Sequence, residues 1–455
     1  MPCTARVLIF QPDSEINSEE DTAEKSLVQR LEDRGFSGIF ANTAEQAFSI
    51  ACDDPPDIAL LIPDHHPGQS DDADPCNSFA KSLKNNLQTA NVPLVMLSAE
   101  NSSCDTGASS IADEVITRPF HDAFLFNRLE SLVRLNTMQG ELARRAATAL
   151  KYGVPKAQDI ASVDDIADAN LLIVGRMGED FETVEQKLAQ MATLTHSLSP
   201  STAMDYLQRR KDFDALVIVQ NDNAIDFLSL CTDIRRNTRL YNLPILVICD
   251  TGSVVSPELA YSTGVTDLIY RPLDGTELKG RISALIRQQR YRMAMQEVYR
   301  NARHLATSDS LTGLYSHGFL HEHLGVLIEE SQRHDKNLSV AALRLANISD
   351  INETFDYSTG DHVLRQVSGM MGRLLRGEDL PARYNGNEFV VVMPDTTLEE
   401  ATIAVQRLAN VVNMTELAVA DIPEPVSAHL RPGIANLQPD DNVGTLIDRA
   451  RNLTR

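Results

Sequence analysis

Short apolar runs that alternate with helix-period stretches constrain the fold of this chain more than any other feature. Within residues 1–140 the apolar runs are Arg6–Phe10, Ile58–Ile62, Pro93–Leu97 and Glu114–Ile116. Stretches with helical periodicity, such as Thr22–Arg34 and Ala44–Ala51, lie between them. Short apolar strands that alternate with amphipathic helices are typical of a parallel sheet covered on both faces. We therefore predict an α/β domain at residues 1–140.

The same cycle begins again after a segment at 141–168 that contains Gly153, Pro155 and several small residues. The apolar runs of the second cycle are Asn170–Val174, Ala215–Val219, Ile245–Ile248 and Asp267–Tyr270. Arg118-Pro119 follows the last run of the first cycle, and Arg271-Pro272 follows that of the second, so the two cycles form a domain-scale repeat. We predict a linker at 141–168 and a second α/β domain at 169–290.

A long helix and a third domain complete the predicted organisation. Apolar residues recur at helical spacing from Leu278 to Val298, and charged residues fill the other faces. This pattern predicts a connecting helix at 277–307, followed by a domain at 308–455. The alternatives for the helix are a solvated charged face and a stalk that transmits the arrangement of the first two domains.

Composition excludes several classes of partner. The net charge of −23 repels polyanions, and Trp is absent, so a nucleic-acid partner is not expected. The 6 cysteines are scattered without a C-x-x-C pair, which is typical of a reduced, intracellular protein. There is no apolar stretch long enough to span a membrane and no secretory signal pattern. We expect a cytoplasmic protein with no membrane partner.

Both α/β cycles resemble the receiver domain of two-component signalling, a flavodoxin-like doubly wound fold. The resemblance implies an acidic pair, an Asp nucleophile, a hydroxyl and a Lys at the carboxyl ends of successive strands. The first cycle has Gln11-Pro12, Ile62, Ser98 and Arg118 there, and the second has Gly175-Arg176, Val219, Cys249 and Arg271. Because Ile and Val cannot accept a phosphoryl group, we interpret both domains as unphosphorylated docking or dimerisation modules. The alternative for the first is phosphorylation at Asp64, which requires a shifted loop.

The stretch Arg376–Pro394, RGEDLPARYNGNEFVVVMP, predicts a β-hairpin, because Asn385-Gly386 between extended segments is a strong turn signal. It resembles the signature hairpin of the GGDEF (diguanylate cyclase) family. In that family the tip reads Gly-Gly-Asp/Glu-Glu-Phe, and an Arg-x-x-Asp product-binding site lies five residues upstream. Here the tip is NGNEF, and Arg376 and Asp379 keep that spacing. Asp309–Leu314, DSLTGL, matches the family's entry motif, so the resemblance implies an α+β cyclase-like domain from there onwards.

Cyclase chemistry joins two GTP molecules by phosphoryl transfer, which requires cations that neutralise the developing charge. The resemblance places the metal carboxylates at the positions of Arg344 and Asn387. An Arg puts a permanent cation where a metal ion would bind, and an Asn offers only a neutral carbonyl oxygen. We therefore predict that the chain is not an enzyme, with no catalytic residues, no metal ligands and no requirement for a metal.

The upstream pair predicts a ligand instead. Arg presents a planar fork that binds phosphate or the O6/N7 edge of guanine, and Asp accepts hydrogen bonds from the guanine N1–H and N2–H₂ groups. The resemblance implies cyclic di-GMP bound by Arg376 and Asp379, with Arg407 as the second arginine of the site. Asn352 and Asp361 match residual guanine contacts. The alternatives are a surface ion pair for the first two, a helix-surface residue for Asn352 and a helix cap for Asp361.

The histidines of the HGFLHEH stretch have a metal-compatible spacing, but further ligands with zinc-like spacing are not evident. We interpret His317, His321 and His323 as exposed residues of a helix.

The order receiver–receiver–GGDEF resembles the PleD-type response regulators, and the loss of active-site acids beside an intact Arg-x-x-Asp resembles the PopA-type non-catalytic relatives. This implies a non-catalytic cyclic di-GMP receptor and adaptor in cell-cycle control and regulated proteolysis. It also implies a homodimer that binds protein partners through its receiver domains and lies at the cell pole through them. The alternatives are a response regulator with weak or residual diguanylate cyclase activity and a nucleotide-independent scaffold.

Overall fold

The computed structural model describes most of the chain, and the gaps between its ranges affect some sequence-based predictions. The described residues are 5–12, 21–63, 74–98, 111–118, 120, 122–153, 166, 168–210, 212–220, 227–237, 239–250, 257–273, 275–301, 307–419 and 422–454. Asp64, the alternative phosphorylation site, lies outside the described residues, as do Pro119 and residues 154–165 and 167 of the predicted linker.

The N-terminal unit is a parallel sheet with the strand order β2-β1-β3-β4-β5. Its strands are β1 (Ala5–Phe10), β2 (Phe36–Ala41), β3 (Ile58–Leu61), β4 (Leu94–Ser98) and β5 (Glu114–Thr117). Its helices are α1 (Asp21–Asp33), α2 (Ala44–Asp53), α3 (Pro75–Asn85) and α4 (Asp122–Lys151). This is the flavodoxin-like doubly wound order. Strands β3 and β4 are buried along their whole length because helices cover both faces, which confirms the predicted α/β sheet.

The second unit repeats the first, since the order β10-β9-β8-β6-β7 is the same order read from the opposite edge. Its strands are β6 (Ala169–Gly175), β7 (Ala192–Ser197), β8 (Ala215–Val219), β9 (Ile245–Cys249) and β10 (Asp267–Tyr270). Its helices are α5 (Glu179–Leu188), α6 (Pro200–Arg209), α7 (Phe227–Arg236), α8 (Pro257–Ser262) and α9 (Gly275–Asn301).

The last helices of the two units, α4 and α9, are long and pack against each other. A small apolar cluster between them contains Met138, Leu142, Tyr291 and Met295. Helix α4 continues past residue 140, so the segment predicted as a linker begins inside this helix. The described part of the predicted connecting helix is α9.

Four buried charges join the two units with an approximate two-fold symmetry. Arg128 pairs with Glu114 of its own unit and, at 2.5 Å, with Asp267 of the other. Arg281 pairs with Asp267 at 3.0 Å and approaches Glu114 at 3.6 Å. The same sequence offset separates Glu114 from Asp267 and Arg128 from Arg281. Each arginine thus bridges both acids, which compensates the desolvation of buried charges.

The C-terminal domain is built on an antiparallel sheet with the order β12-β13-β11-β16. Its strands are β11 (Leu338–Leu345), β12 (Leu380–Asn385), β13 (Glu388–Pro394) and β16 (Leu430–Asn436), and a separate small ladder joins β14 (Glu416–Leu417) to β15 (Val426–Ser427). Its helices are α10 (His317–His334), α11 (Ile348–Thr354), α12 (Tyr357–Leu374), α13 (Leu398–Met414) and α14 (Val443–Asn452). Successive residues of β11 and β13 enter two different apolar clusters, one on each face of the sheet.

The predicted hairpin is confirmed, but its turn is not the predicted one. Asn385 still pairs with Glu388, so the turn residues are Gly386 and Asn387, and the ladder shifts register between Arg383 and Asn385. Gly386 is not among the residues with positive φ. The Asn385-Gly386 signal therefore indicated the hairpin, but the turn itself lies one residue later in the chain. No helix among the described residues is both long and apolar enough to cross a membrane.

Candidate ligand site

The turn Arg376–Asp379 connects the end of α12 to the start of β12. Asp379 is only 4% exposed, and its Oδ2 accepts a hydrogen bond from the backbone N–H of Arg376 at 2.8 Å. Its Oδ1 is buried and has no hydrogen-bond partner among the described residues. Burial and the neighbouring Glu378 raise the pKa of Asp379 to about 7, although Arg376 opposes the change. The turn thus contains a carboxyl group with an unused acceptor atom.

Two long helices hold this turn in place. Glu378 is buried, and its Oε1 lies 2.8 Å from Nε of Arg134 in α4. Arg145, further along the same helix, donates to the carbonyl oxygens of Gly377 and Glu378 at 3.2 and 2.6 Å. Gly377 has no room for a side chain, because a Cβ atom there would lie 2.9 Å from Cγ of Arg292 in α9. The turn is therefore wedged between the two α/β units and the C-terminal domain.

Arg407 and the backbone just before Arg376 contact the same loop of the second α/β unit. Arg407 is exposed on α13, and its Cζ lies 4.6 Å from the ring centroid of Tyr241. Its Nη2 donates a long hydrogen bond of 3.4 Å to the carbonyl oxygen of Leu374. Burial alone would lower the pKa of the Arg376 guanidinium. The neighbouring Glu378, Asp379, Glu400 and Tyr241 outweigh burial and raise this pKa. The structure thus brings the three predicted residues to one region, beside an aromatic ring that the sequence analysis missed.

Asn352 and Asp361 lie apart from this region, at the junction of α11 and α12. A Cβ atom at Gly360 would collide with Oδ1 of Asn352, so the glycine leaves room for this side chain. Oδ1 of Asn352 is buried and has no hydrogen-bond partner among the described residues. The helix α12 is capped by Asp356, whose carboxylate accepts from the backbone N–H of Thr359 at 2.7 Å. The alternative that Asp361 caps this helix is therefore wrong.

The hairpin tip carries Glu388 as its carboxylate. Its Oε2 accepts from Arg451 at 2.9 Å and from Nδ2 of Asn385 at 2.7 Å. Arg344 lies opposite Glu388 in the antiparallel register of β11 and β13. Nδ2 of Asn387 donates to the carbonyl oxygen of Leu345 at 2.9 Å, which ties the tip to the end of β11.

The GGDEF resemblance implies a divalent cation at this end of the sheet. A cation site needs several free carboxylate or carbonyl oxygens. Here the Glu388 carboxylate is engaged by Arg451, the Asn387 side chain is turned towards the backbone, and Arg344 supplies a positive charge. In this arrangement the residues do not fit a divalent cation, and we derive no step through a metal.

The three histidines do not behave alike. His317 is exposed and stacks on the half-buried His321 with 4.3 Å between ring centroids. His323 is fully buried, so the prediction that it is exposed was wrong. Its Nε2 lies 2.9 Å from Oε1 of Glu141 in α4, and its Nδ1 lies 3.3 Å from Oγ1 of Thr148. The side of α10 that carries His323 is covered by the N-terminal unit, which local sequence patterns could not indicate.

Comparisons with known proteins agree with this architecture. Residues 306–455 match the family model described as diguanylate cyclase, GGDEF domain. The response regulator PleD of Caulobacter vibrioides is 28% identical over 409 residues, which cover 89% of this chain and 87% of PleD. The diguanylate cyclase DgcP of Pseudomonas aeruginosa is 30% identical over 183 residues, which cover 38% of this chain and 26% of DgcP.

Two solved structures are also similar to part of this chain. The GGDEF domain of DgcB from Caulobacter crescentus, in complex with c-di-GMP, is 24% identical and covers 33% of this chain and 85% of that one, with a TM-score of 0.32. The diguanylate cyclase SiaD from Pseudomonas aeruginosa, in complex with its activator SiaC, is 27% identical and covers 36% of this chain and 63% of that one, with a TM-score of 0.33.

One prediction requires correction. The C-terminal residues match a family described as diguanylate cyclases, and DgcP, which is similar over 38% of this chain, is itself named a diguanylate cyclase. The prediction that the chain is not an enzyme is therefore wrong, and the substitutions at Arg344 and Asn387 do not establish a loss of activity. The chain carries a GGDEF domain at its C-terminus and is similar over most of its length to the response regulator PleD.

Proposed function

We propose that this chain is a response regulator of cyclic di-GMP signalling that binds cyclic di-GMP at Arg376, Asp379 and Arg407. The observation that carries this proposal is the shared surroundings of the three residues. Arg407 contacts Tyr241, the adjacent Asn242 binds the backbone just before Arg376, and Asp379 has a buried oxygen without a partner among the described residues. A ligand with both phosphates and guanine edges satisfies such a set.

The chemistry of each group fits one part of this ligand. The guanidinium groups of Arg376 and Arg407 bind phosphate or the O6/N7 edge of guanine, and they can stack on the base. Ionised Asp379 accepts from guanine N1–H and N2–H₂. Because burial raises the pKa of Asp379 to about 7, a ligand that needs the ionised form must release a proton near neutral pH. Affinity should therefore rise with pH through this range.

The two N-terminal units supply the regulatory part of the proposal. Both have the strand order of a flavodoxin-like receiver domain, and α4 contacts the Arg376–Asp379 turn directly through Arg134 and Arg145. We assign them the role of receiver-type docking modules for protein partners. The adaptor role in cell-cycle control and regulated proteolysis, the homodimer and the position at the cell pole rest on the resemblance to such regulators.

The test is calorimetric titration of the full-length protein with cyclic di-GMP. Arg376→Ala should abolish binding, whereas Arg365→Ala, which removes an exposed arginine of α12, should leave affinity unchanged. If the wild-type protein does not bind, the proposal fails. If Arg376→Ala binds as tightly as wild type, the ligand lies elsewhere.

A second candidate function is the cyclisation of GTP, which the match to the diguanylate cyclase family favours. Asn352 and Asp361 are the proposed guanine contacts. The assignment is supported by the buried Oδ1 of Asn352, which has no hydrogen-bond partner among the described residues. A turnover assay with GTP and either Mg²⁺ or Mn²⁺ tests it. Product formation that disappears in Glu388→Gln would establish the activity, and equal turnover in both proteins would point to a contaminant.

A further inference from the structure

The second α/β unit contacts the proposed ligand site through the loop 239–244, which connects α7 to β9. Asn242 donates from Nδ2 to the carbonyl oxygens of Arg373 and Leu375 at 3.0 and 3.3 Å. These carbonyls belong to the last residues before Arg376. The adjacent Tyr241 lies over the guanidinium of Arg407. The loop is therefore held at the two sequence segments that carry the arginines of the site.

The position of the Tyr241 ring matters because a guanidinium group binds a base or an aromatic ring through its flat faces. Cζ of Arg407 lies over the Tyr241 ring, 4.6 Å from its centroid. The ring is half-buried, and Tyr241 is also one of the groups that affect the ionisation of Arg376. An aromatic side chain thus lies against Arg407, where a planar base of the proposed ligand would bind.

We infer that Tyr241 occupies the place of a guanine base on Arg407, so that cyclic di-GMP enters the site by displacing the loop 239–244. This inference rests on the proposed function. It adds that Tyr241 of the same chain competes with cyclic di-GMP for Arg407. The ligand then separates the second α/β unit from the C-terminal domain at this contact. The two backbone hydrogen bonds of Asn242 break at the same step, because Asn242 is the next residue in the loop.

Competition by Tyr241 should lower the apparent affinity for cyclic di-GMP by a measurable factor. A ligand that binds only the open form has its apparent affinity reduced by the fraction of molecules that are open. Removal of one arginine–aromatic contact should therefore tighten ligand binding on the order of 2- to 30-fold, given the usual strength of such contacts. Asn242→Ala should act in the same direction, since it loosens the same loop without touching Arg407.

Calorimetry on the full-length protein with cyclic di-GMP separates the outcomes. Tyr241→Ala and Asn242→Ala should both bind more tightly than wild type, whereas Tyr241→Phe, which keeps the ring, should bind like wild type. Hydrogen exchange of the backbone amides in the loop should become faster when wild type is saturated with ligand.

Two results would overturn the inference. The first leaves the proposed function intact, and the second contradicts it as well. If wild type binds but Tyr241→Ala and Asn242→Ala bind equally or more weakly, the loop does not compete, and the proposed function stands without this device. If wild type and all loop variants fail to bind, the proposed function itself fails, and the inference falls with it.

Discussion

Replacement of Asp379 by Asn should stabilise the C-terminal domain at alkaline pH and weaken the ligand site at the same time. Asp379 is buried in the turn before β12, and its Oδ2 accepts from the backbone N–H of Arg376 at 2.8 Å. An Asn side chain can keep that acceptor through its Oδ1. It cannot ionise, so it removes the unfavourable burial of a charge beside Glu378.

The sign of the pH dependence follows from the raised pKa. The folded protein retains the Asp379 proton to higher pH than the unfolded chain, so the free energy of unfolding of wild type falls as pH rises from about 4 to about 7. The pKa rises from 3.8 to about 7, so the total effect is about 4 kcal/mol at 1.36 kcal/mol per unit. The buried amide of Asn adds unpaired donors, which costs about 1–3 kcal/mol at every pH. Asp379→Asn should therefore be less stable than wild type near pH 4 and more stable by roughly 1–3 kcal/mol at pH 8.

The assay must report on the C-terminal domain alone, because a chain with several domains does not unfold in one two-state step. Hydrogen exchange of peptides that cover β12 and β13, corrected for intrinsic exchange rates, gives the local free energy of opening. Asp356→Asn is the control, and its effect on stability should change with pH in the opposite direction. The reason is that hydrogen bonds from Thr359 lower the pKa of Asp356. A stability difference between Asp379→Asn and wild type that does not change between pH 5 and pH 8 would refute the reasoning.

Two further substitutions test the packing of the C-terminal domain. Glu141→Gln should lower the local free energy of opening by about 3–5 kcal/mol, because it removes the buried charge that Arg145 and His323 contact. Hydrogen exchange of peptides from α10 measures this, and a loss below about 1 kcal/mol would contradict it. Gly433→Ala should destabilise the domain by about 1–3 kcal/mol, since a Cβ atom there would collide with the backbone of α14. Gly386→Ala is its control, because a Cβ atom at that hairpin position meets nothing within 4 Å. Equal local free energies of opening for the two variants, measured by hydrogen exchange, would refute the packing argument.

The sheets could be predicted from the sequence where burial leaves a simple pattern. Strands β3, β4, β8 and β9 are buried along their whole length, so their residues form continuous apolar runs. Strands β2 and β7 were missed because they lie at sheet edges and mix buried with exposed positions, as in FSGIFA and ATLTHS. Edge strands contact neighbours on one side only, which leaves little periodicity in the sequence.

For the ligand site, too, the sequence predicts residues that lie close together in the chain but not their distant partners. Arg376 and Asp379 could be found because they lie at a fixed spacing before a recognisable hairpin. The partners that shape the site could not, because Arg134 is 244 residues from Glu378, and Tyr241 lies in a loop of the second α/β unit. A single sequence contains no signal for contacts of that range. The same holds for His323, whose burial depends on α4 of the N-terminal unit.

The position of the Arg376–Asp379 turn has a thermodynamic consequence for signalling. The turn contacts α4 through Arg134 and Arg145, and the residues just before it bind Asn242 of the second unit. If ligand entry displaces the loop 239–244, a protein partner that prefers the displaced arrangement must raise ligand affinity by the same factor by which ligand raises partner affinity. Without any differential contact at this loop, neither can influence the other. Communication between receiver-type units and the GGDEF domain thus requires no long pathway, because the coupled surfaces already touch.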